Sequence, residues 1–482
     1  MKKNWPLILI AISLFLIEIS NELTTTGMFL DGLVYSNLAA NMAQGLCTFW
    51  HPSISESFMS TFVGHPPLAF GLLALCYKIL GVHIWVAKAY SLFMFLLSGI
   101  LLLRLWTGLG FKKEMGWLPL LLWALVPLVP QYACDNMLEG TMGVFVLASV
   151  LCLLHYPVSI IKKVGWHLLS GLFLYLAFLT KGFTGLYPLC LPVIIWLVEL
   201  LFHSEEKHYT FLKSLILSLV PLVSLTLCIV IVGLAQPAAF TYFKAYLSEQ
   251  IVSGIGVVTV SSRWYIVIKF FERTAILWVL TIFILGISYL SKHKGDSTFI
   301  SKHNAKTFLT FTLLTLSGVI PMMISTKQSD FYILTVFPFI AVAIGALLND
   351  KVEEWLTKTG KRFQGIITTA AILMVLIALT TNIIHVGKPG RDVEIQHDVA
   401  LITSQLQQGE RIAIPESLYD QYSLINYAYR AKQIDMRPTS FDLPTESLPL
   451  HLLTLSDQEN PDPRYHEVEL PTHQYKLYEL AQ

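Results

Sequence analysis

This chain is short of charge. Of its 482 residues only 13% are Asp, Glu, Lys or Arg, against 54% hydrophobic, and the mean hydropathy is +0.61. An ordinary soluble domain carries about twice that share of charge, so the composition points to the bilayer. The formal net charge is +1, which leaves no basic field for nucleic acid and no acidic tail. Nucleic acid is therefore excluded as a partner class. The six cysteines (Cys47, Cys76, Cys134, Cys152, Cys190 and Cys228) lack the spacing of a zinc knuckle or a redox pair. Most fall inside apolar runs, where a thiol packs as a small hydrophobe. No internal repeat or low-complexity run is present. The first stretch, "MKKNWPLILIAISLFLIEIS", has a basic start and an apolar core but no small-x-small cleavage site after it, so it is expected to remain as a first span.

What is abundant is long apolar sequence. A helix needs about 20 mostly apolar residues to cross the hydrocarbon core. Runs of that kind begin near residues 5, 85, 115, 137, 166, 184, 212, 274, 307, 330 and 364, which predicts eleven spans. Basic loops orient them. With Lys2 and Lys3 in the cytoplasm, alternation places five further basic loops there too. They carry Arg104, Lys112 and Lys113; Lys162 and Lys163; Lys207 and Lys213; Lys292, Lys294, Lys302 and Lys306; and Lys351, Lys358, Lys361 and Arg362. Residues 21–64, assigned to the outside, contain no Lys or Arg. The run "PPLAFGLLALCYKILG" (66–81) would reverse this pattern if it spanned, so it is expected to lie in the outer interface or to dip partly into the membrane. Residues 21–84 then form one long external loop. Cys47 and Cys134 both fall on the outer side, where a disulfide between them is an open alternative.

Residues 1–386 thus form a polytopic helical domain, and residues 387–482 change character. That tail is polar, with helix-like stretches ("QHDVALITSQLQQ", "YDQYSLINYAYRA") between strand-like ones ("RIAIP", "HLLTLS", "KLYEL"). It is long enough for a small external α/β domain.

In so apolar a chain the informative residues are ionisable groups at span ends, because burying them is costly. The topology gathers Asp31, Glu56, His65, Lys88, Asp135, Glu139, Lys181, Arg263 and Lys327 on the outer side. In "GMFLDGLVYSNLAANMAQG", Asp31 precedes a weakly amphipathic segment that also carries Tyr35; taken alone, it reads equally well as a helix N-cap. "ACDNMLEGTMGVF" repeats the situation with Asp135 and Glu139, and two acidic turns at the mouth of one bundle argue against two unrelated caps. His65 stands before a stiff Pro-Pro pair in "FVGHPPLAFG". Lys181 ("LTKGFTGLYP") and Lys327 ("STKQSDFYILTVFP") lie between apolar spans on the side that should lack cations. The plain reading is snorkelling to the interface; the sharper one is contact with a phosphate. Carboxylates facing lysines and a histidine at that height suit a reaction on a lipid-linked phosphate.

The ordered stretches "LDGLVYSNLAANMAQG", "HPPLAFGLLALCYKILG" with "VAKAYSLF", "DNMLEGTM", "LTKGFTGLYP" and "KQSDFYILTVFPFIAVAIG" run across most of residues 1–350. Together they resemble the GT-C glycosyltransferases, in particular the family 39 group of protein O-mannosyltransferases and the lipid A aminoarabinose transferase. The resemblance implies a GT-C fold of about eleven transmembrane helices with interfacial helices in the first external loop. It also implies an integral membrane enzyme of a bacterial inner membrane, N-terminus cytoplasmic and C-terminal domain periplasmic. Such an enzyme moves a sugar, with inversion, from a polyprenyl-phosphate donor such as undecaprenyl phosphate to a lipid, glycan or protein acceptor.

By that resemblance Asp31 is the acid of the first external loop and Glu139 the second acid, with Asp135 as its competitor. Lys327 and Tyr332 correspond to donor-phosphate contacts, and Lys88 falls where many relatives have arginine. Tyr35, His65, Lys181 and Arg263 complete the candidate substrate-binding set. This chain departs from the pattern at Gly64 and His65, where many aminoarabinose-type relatives have Glu-Lys. Asp31 also has no adjacent second acid, so no cofactor is implied with certainty and a divalent cation is left open. The rival reading is a transporter or flippase for a lipid-linked or small anionic substrate. It lacks support from repeat halves, and the charges gather at the outer boundary instead of the midplane.

Overall fold

Helices account for most of the chain because long apolar segments must satisfy their own backbone groups in a membrane. The computed structural model describes residues 4–155, 159–203, 210–252, 256–290 and 299–481. Lys2, Lys3, Lys207, Lys292 and Lys294 of the orientation argument lie outside the described residues. Among the described residues, seven helices are long and apolar enough to cross a bilayer: Ile84–Gly108, Ile160–Gly185, Phe211–Ala235, Tyr265–Leu290, Lys302–Ile324, Asp330–Lys358 and Lys361–His385.

Of the eleven apolar segments expected, seven are full-length helices and four are shorter among the described residues. Trp5–Glu18 has 14 residues and Leu138–Leu153 has 16, about 21–24 Å at 1.5 Å per residue. Tyr187–Leu201 is also short. The segment expected to start near 115 breaks into Trp117–Ala124 and Leu128–Gln131, because Pro127 and Pro130 each remove a backbone donor. Leu68–Leu80, the run kept out of the span count, is a helix of 13 residues. No disulfide joins Cys47 and Cys134.

The chain divides into two compact units. The first takes in Met1–Leu23, Val63–Ala69 and Ala89–His385. Its most deeply buried long helix is Asp330–Lys358, whose run of Ala, Val, Ile and Gly leaves little side-chain bulk to hold neighbours away. Phe211–Ala235 and Lys361–His385 instead turn apolar side chains such as Leu219, Ile231, Ile372 and Leu376 outward, as lipid-facing helices do. Trp5–Glu18 packs beside Lys361–His385, where Asn382 Nδ2 donates to the Leu16 carbonyl at 2.9 Å. Two pairs of buried polar side chains in this unit join their hydroxyls: Tyr90 with Thr141 and Ser149 with Ser170, each at 2.8 Å.

The second unit takes in Thr24–Phe62, Phe70–Lys88 and Val386–Gln482. Most of the first loop thus groups in one compact unit with the C-terminal tail. Its five-stranded sheet has the order β2-β1-β3-β5-β4, with β1 Arg411–Ile414, β2 Asp435–Pro438, β3 His451–Leu455, β4 Tyr465–Val468 and β5 Tyr475–Leu480. β1 runs parallel to β2 and β3, while β5 is antiparallel to β3 and β4. The helix Tyr422–Lys432 makes the crossover from β1 to β2, as a parallel pair requires. Against that helix lies Leu30–Gln44 from the first loop, buried from Gly32 to Met42. Their contact is polar. Asn37 Nδ2 donates to Asn426 Oδ1 at 3.0 Å, Tyr429 Oη donates to Asn41 Oδ1 at 2.9 Å, and Arg430 donates to Ser36 Oγ at 2.6 Å.

Candidate active site

Within the first unit the site grows from two helix ends. Asn136, in the left-handed region at φ 53°, turns the chain into the helix Leu138–Leu153, and Glu139 sits in that helix's first turn. Lys181 is the last residue of the helix Ile160–Lys181, which packs beside it. A carboxylate near a helix N-terminus and an ammonium at a helix C-terminus each complement the backbone dipole. Here the two also meet: Lys181 Nζ forms a salt bridge with Glu139 Oε1, the side chains being 5% and 0% exposed. The snorkelling reading of Lys181 is thereby corrected, since its head is buried in the protein. The same ammonium lies 4.7 Å from the Tyr332 ring centroid and 5.1 Å from that of Phe331, within cation–π range.

After Lys181 the chain turns sharply at Gly182, φ 76°. A Cβ there would come within 1.9 Å of the Tyr246 hydroxyl, so only glycine admits that side chain. Tyr246 closes the helix Pro237–Tyr246, whose Tyr242 hydroxyl donates to the His65 carbonyl at 2.6 Å. Burial, with added repulsion from Lys181 and Lys327, holds the His65 imidazole well below the usual histidine range. It therefore stands neutral beside the two lysines. Asp135 is fully buried four residues before Glu139.

Lys327 occupies a turn between Ile324 and Asp330. Its ammonium donates to Gln250 Oε1 at 3.0 Å, and among the described residues no carboxylate pairs with it. The turn is held by its neighbour Gln328, which is 3% exposed. Gln328 accepts from the Ile266 amide at 2.9 Å and donates toward the carbonyls of Arg263, Met322 and Ser325 at 3.1, 3.2 and 2.7 Å. Its own backbone amide donates to Thr259 Oγ1 at 2.9 Å. Arg273 braces the next residues by gripping Asp330 Oδ2 at 2.6 and 3.1 Å. Gln328 and Arg273 have no place in the sequence expectations. An uncharged amide next to a lysine, and an arginine inside a predicted span, carry no local signal of the partners they find. Arg263 contributes its backbone carbonyl while its side chain is exposed.

The structure thus brings Glu139, Lys181 and Tyr332 into contact, with His65 and Lys327 inside the same electrostatic neighbourhood. Asp31, Tyr35 and Lys88 belong to the second unit. Phe29, not Asp31, holds the cap position of the helix Leu30–Gln44, so the N-cap reading is corrected. Asp31 lies in the first turn, partly exposed. Tyr35 is buried and stacks on Phe70 at 5.4 Å. Lys88 is 1% exposed and donates to the Thr25 carbonyl at 2.8 Å. Glu56 forms an ion pair with Arg411, which also reaches Asp435 Oδ2 at 3.1 Å. Among the described residues no trio of His, Cys, Asp or Glu with metal-binding spacing includes Asp31, Asp135 or Glu139.

Residues 64–232 match the family described as dolichyl-phosphate-mannose-protein mannosyltransferase. No curated protein matches the sequence significantly. Among solved structures the chain is similar to ArnT from Cupriavidus metallidurans bound to undecaprenyl phosphate, at TM-score 0.66 and 13% identity, covering 99% of this chain and 98% of that one. The fold is GT-C. The apo form of the same ArnT gives TM-score 0.64 at 13% identity over 98% and 97% of the two chains. The Archaeoglobus fulgidus oligosaccharyltransferase in complex with Zn and sulfate shares the GT-C fold at TM-score 0.53 and 13% identity, over 93% of this chain and 68% of its own. Family match and GT-C fold agree on one enzyme class, the membrane glycosyltransferase.

Proposed function

We propose that this chain transfers a sugar from a polyprenyl-phosphate donor to an acceptor at the outer face of a bacterial inner membrane, with inversion at the anomeric carbon. The observation that carries the reading is Lys327: a half-buried ammonium whose partner among the described residues is an amide, on a turn that five hydrogen bonds made by Gln328 keep in place. Such a cation is set to meet an anion. Lys181 has its charge taken up by Glu139 and serves to seat Tyr332.

In this reading Asp31 accepts the proton of an acceptor hydroxyl as its oxygen attacks the anomeric carbon opposite the phosphate. The bond from that carbon to the phosphate oxygen breaks, and polyprenyl phosphate leaves as an anion whose charge Lys327 and the Tyr332 hydroxyl stabilise. Glu139 and Asp135 then act by positioning, and neutral His65 adds no repulsive charge. The N-terminus lies in the cytoplasm and the sheet domain in the periplasm. Both the family description, with its dolichyl-phosphate mannose donor, and the undecaprenyl phosphate of the ArnT complex support a polyprenyl-phosphate donor.

The test is a transfer assay with purified protein in lipid. A panel of radiolabelled polyprenyl-phosphate sugars is offered with membrane extract as acceptor, wild type beside Lys327→Ala. Label should reach an extractable product with wild type and far less with the variant. Donor crossing the bilayer without transfer would overturn the proposal in favour of a flippase.

A further inference from the structure

The sheet domain holds three side chains that the proposed reaction does not use. His397 and Asp398 lie in the helix Val393–Gln405, and His473 stands just before β5. The ligand atoms of the three lie within 4.8 Å of one another, and the two imidazole centroids are 4.8 Å apart. Asp398 is the fixed member, its side chain fully buried. It accepts from the backbone amides of His473 at 2.8 Å and Gln474 at 2.7 Å, with Tyr475 at 3.3 Å. Those bonds bind the approach to β5 to the helix and set His473 beside His397, 76 residues earlier in the chain. The His397 side chain is 47% exposed and His473 is exposed too, so both rings can turn while the carboxylate cannot.

We infer that this trio is a divalent-metal site for a borderline cation of the zinc class. His397 Nδ1 stands 3.3 Å from Asp398 Oδ1. That is long for an N–H···O bond, yet it matches the edge of a tetrahedron with metal–ligand bonds of about 2.0–2.1 Å, roughly 3.3–3.4 Å. Octahedral coordination by Mg2+ at similar bond lengths would need ligand atoms near 3.0 Å, and a set with two imidazoles is the wrong chemistry for it. A modest turn of the exposed His473 ring supplies the third corner, and water or a further ligand takes the fourth. Three of the four oxygen-directed amide bonds of Asp398 fall on Oδ2 and one on Oδ1, so Oδ1 keeps a lone pair for the metal. Bound metal would clip the helix to the last hairpin of the domain.

The experiment titrates Zn2+ alone into the full chain after stripping with EDTA, following heat of binding and the thermal midpoint. Wild type should take up one Zn2+ more than the double variant His397→Ala/His473→Ala, and each single variant should bind that ion at least tenfold more weakly. Zn2+ should raise the midpoint of wild type and leave that of the double variant unchanged, because a ligand stabilises only the state it binds. Both histidines are exposed, so the variants should fold and transfer sugar as wild type does. Equal uptake by wild type and double variant, or displacement of the ion by equimolar Mg2+, would overturn the assignment.

Discussion

The buried ammonium of Lys181 is shared between the carboxylate of Glu139 and the ring faces of Tyr332 and Phe331. Two residues 42 positions apart in the chain thereby join the first turn of one helix to the last turn of its neighbour. Removing either member takes an ionic partner from a buried charge. Lys181→Met and Glu139→Gln should each cost about 3–5 kcal/mol of stability, read from unfolding of the purified protein in detergent. The double variant Lys181→Met/Glu139→Leu should recover most of that loss, since an apolar pair of similar volume replaces two charges. A double variant as unstable as the singles would show that the pair does not act as a unit.

Lys327→Ala should leave the fold intact, because among the described residues no carboxylate depends on this side chain. Loss of a charge-assisted bond is worth about 1.5–3 kcal/mol, so affinity for undecaprenyl phosphate should fall roughly 10–100-fold. Fluorescence or calorimetric binding measures it. Unchanged affinity would remove Lys327 from the donor site.

Asp31→Asn keeps the shape of the side chain and removes its basicity. Transfer to a hydroxyl acceptor should fall by about 100-fold or more in kcat with KM little altered. A variant that keeps full kcat would mean that the acceptor reaches the site already ionised, or that another group takes the proton.

His65 gives a pH signature. Its pKa is lowered on folding, so below the ordinary value near 6.5 the unfolded chain binds a proton that the native chain refuses. Stability contributed by the neutral imidazole is therefore present above about pH 6.5 and falls as pH drops toward the lowered native value. The limiting slope is about 1.4 kcal/mol per pH unit. Unfolding free energies of wild type and His65→Gln should diverge on going upward from about pH 5 to 6.5 and run parallel above it. Parallel curves throughout would show that His65 titrates in the native state as it does in the unfolded chain.

Apolar spans were legible in sequence because they are set by bulk hydrophobicity over about 20 residues, a property any window can read. The broken segment at Pro127 and Pro130 and the short helix Trp5–Glu18 are apolar in the same way, so composition alone could not separate them from full-length spans. In the sheet domain β1, β3 and β5 showed as alternating or apolar runs. β2 (DMRP) and β4 (YHEV) did not, because both are edge strands, short and polar, with little to bury. The acids and lysines at span ends stood out as charges in an apolar chain. Which lysine meets which acid is a tertiary fact: nothing near Lys181 in the sequence names Glu139, and nothing near Gln328 names the backbone groups it joins.

The second unit is assembled from Thr24–Phe62, Phe70–Lys88 and Val386–Gln482, two early pieces of the chain and one late one. About 300 residues separate them. A ribosome adding roughly 5–20 residues per second needs about 15–60 s to make that intervening stretch. During that interval the helix Leu30–Gln44 has been synthesised but its partner Tyr422–Lys432 does not yet exist. Asn37 and Asn41 therefore cannot make their bonds to Asn426 and Tyr429 until that interval has passed.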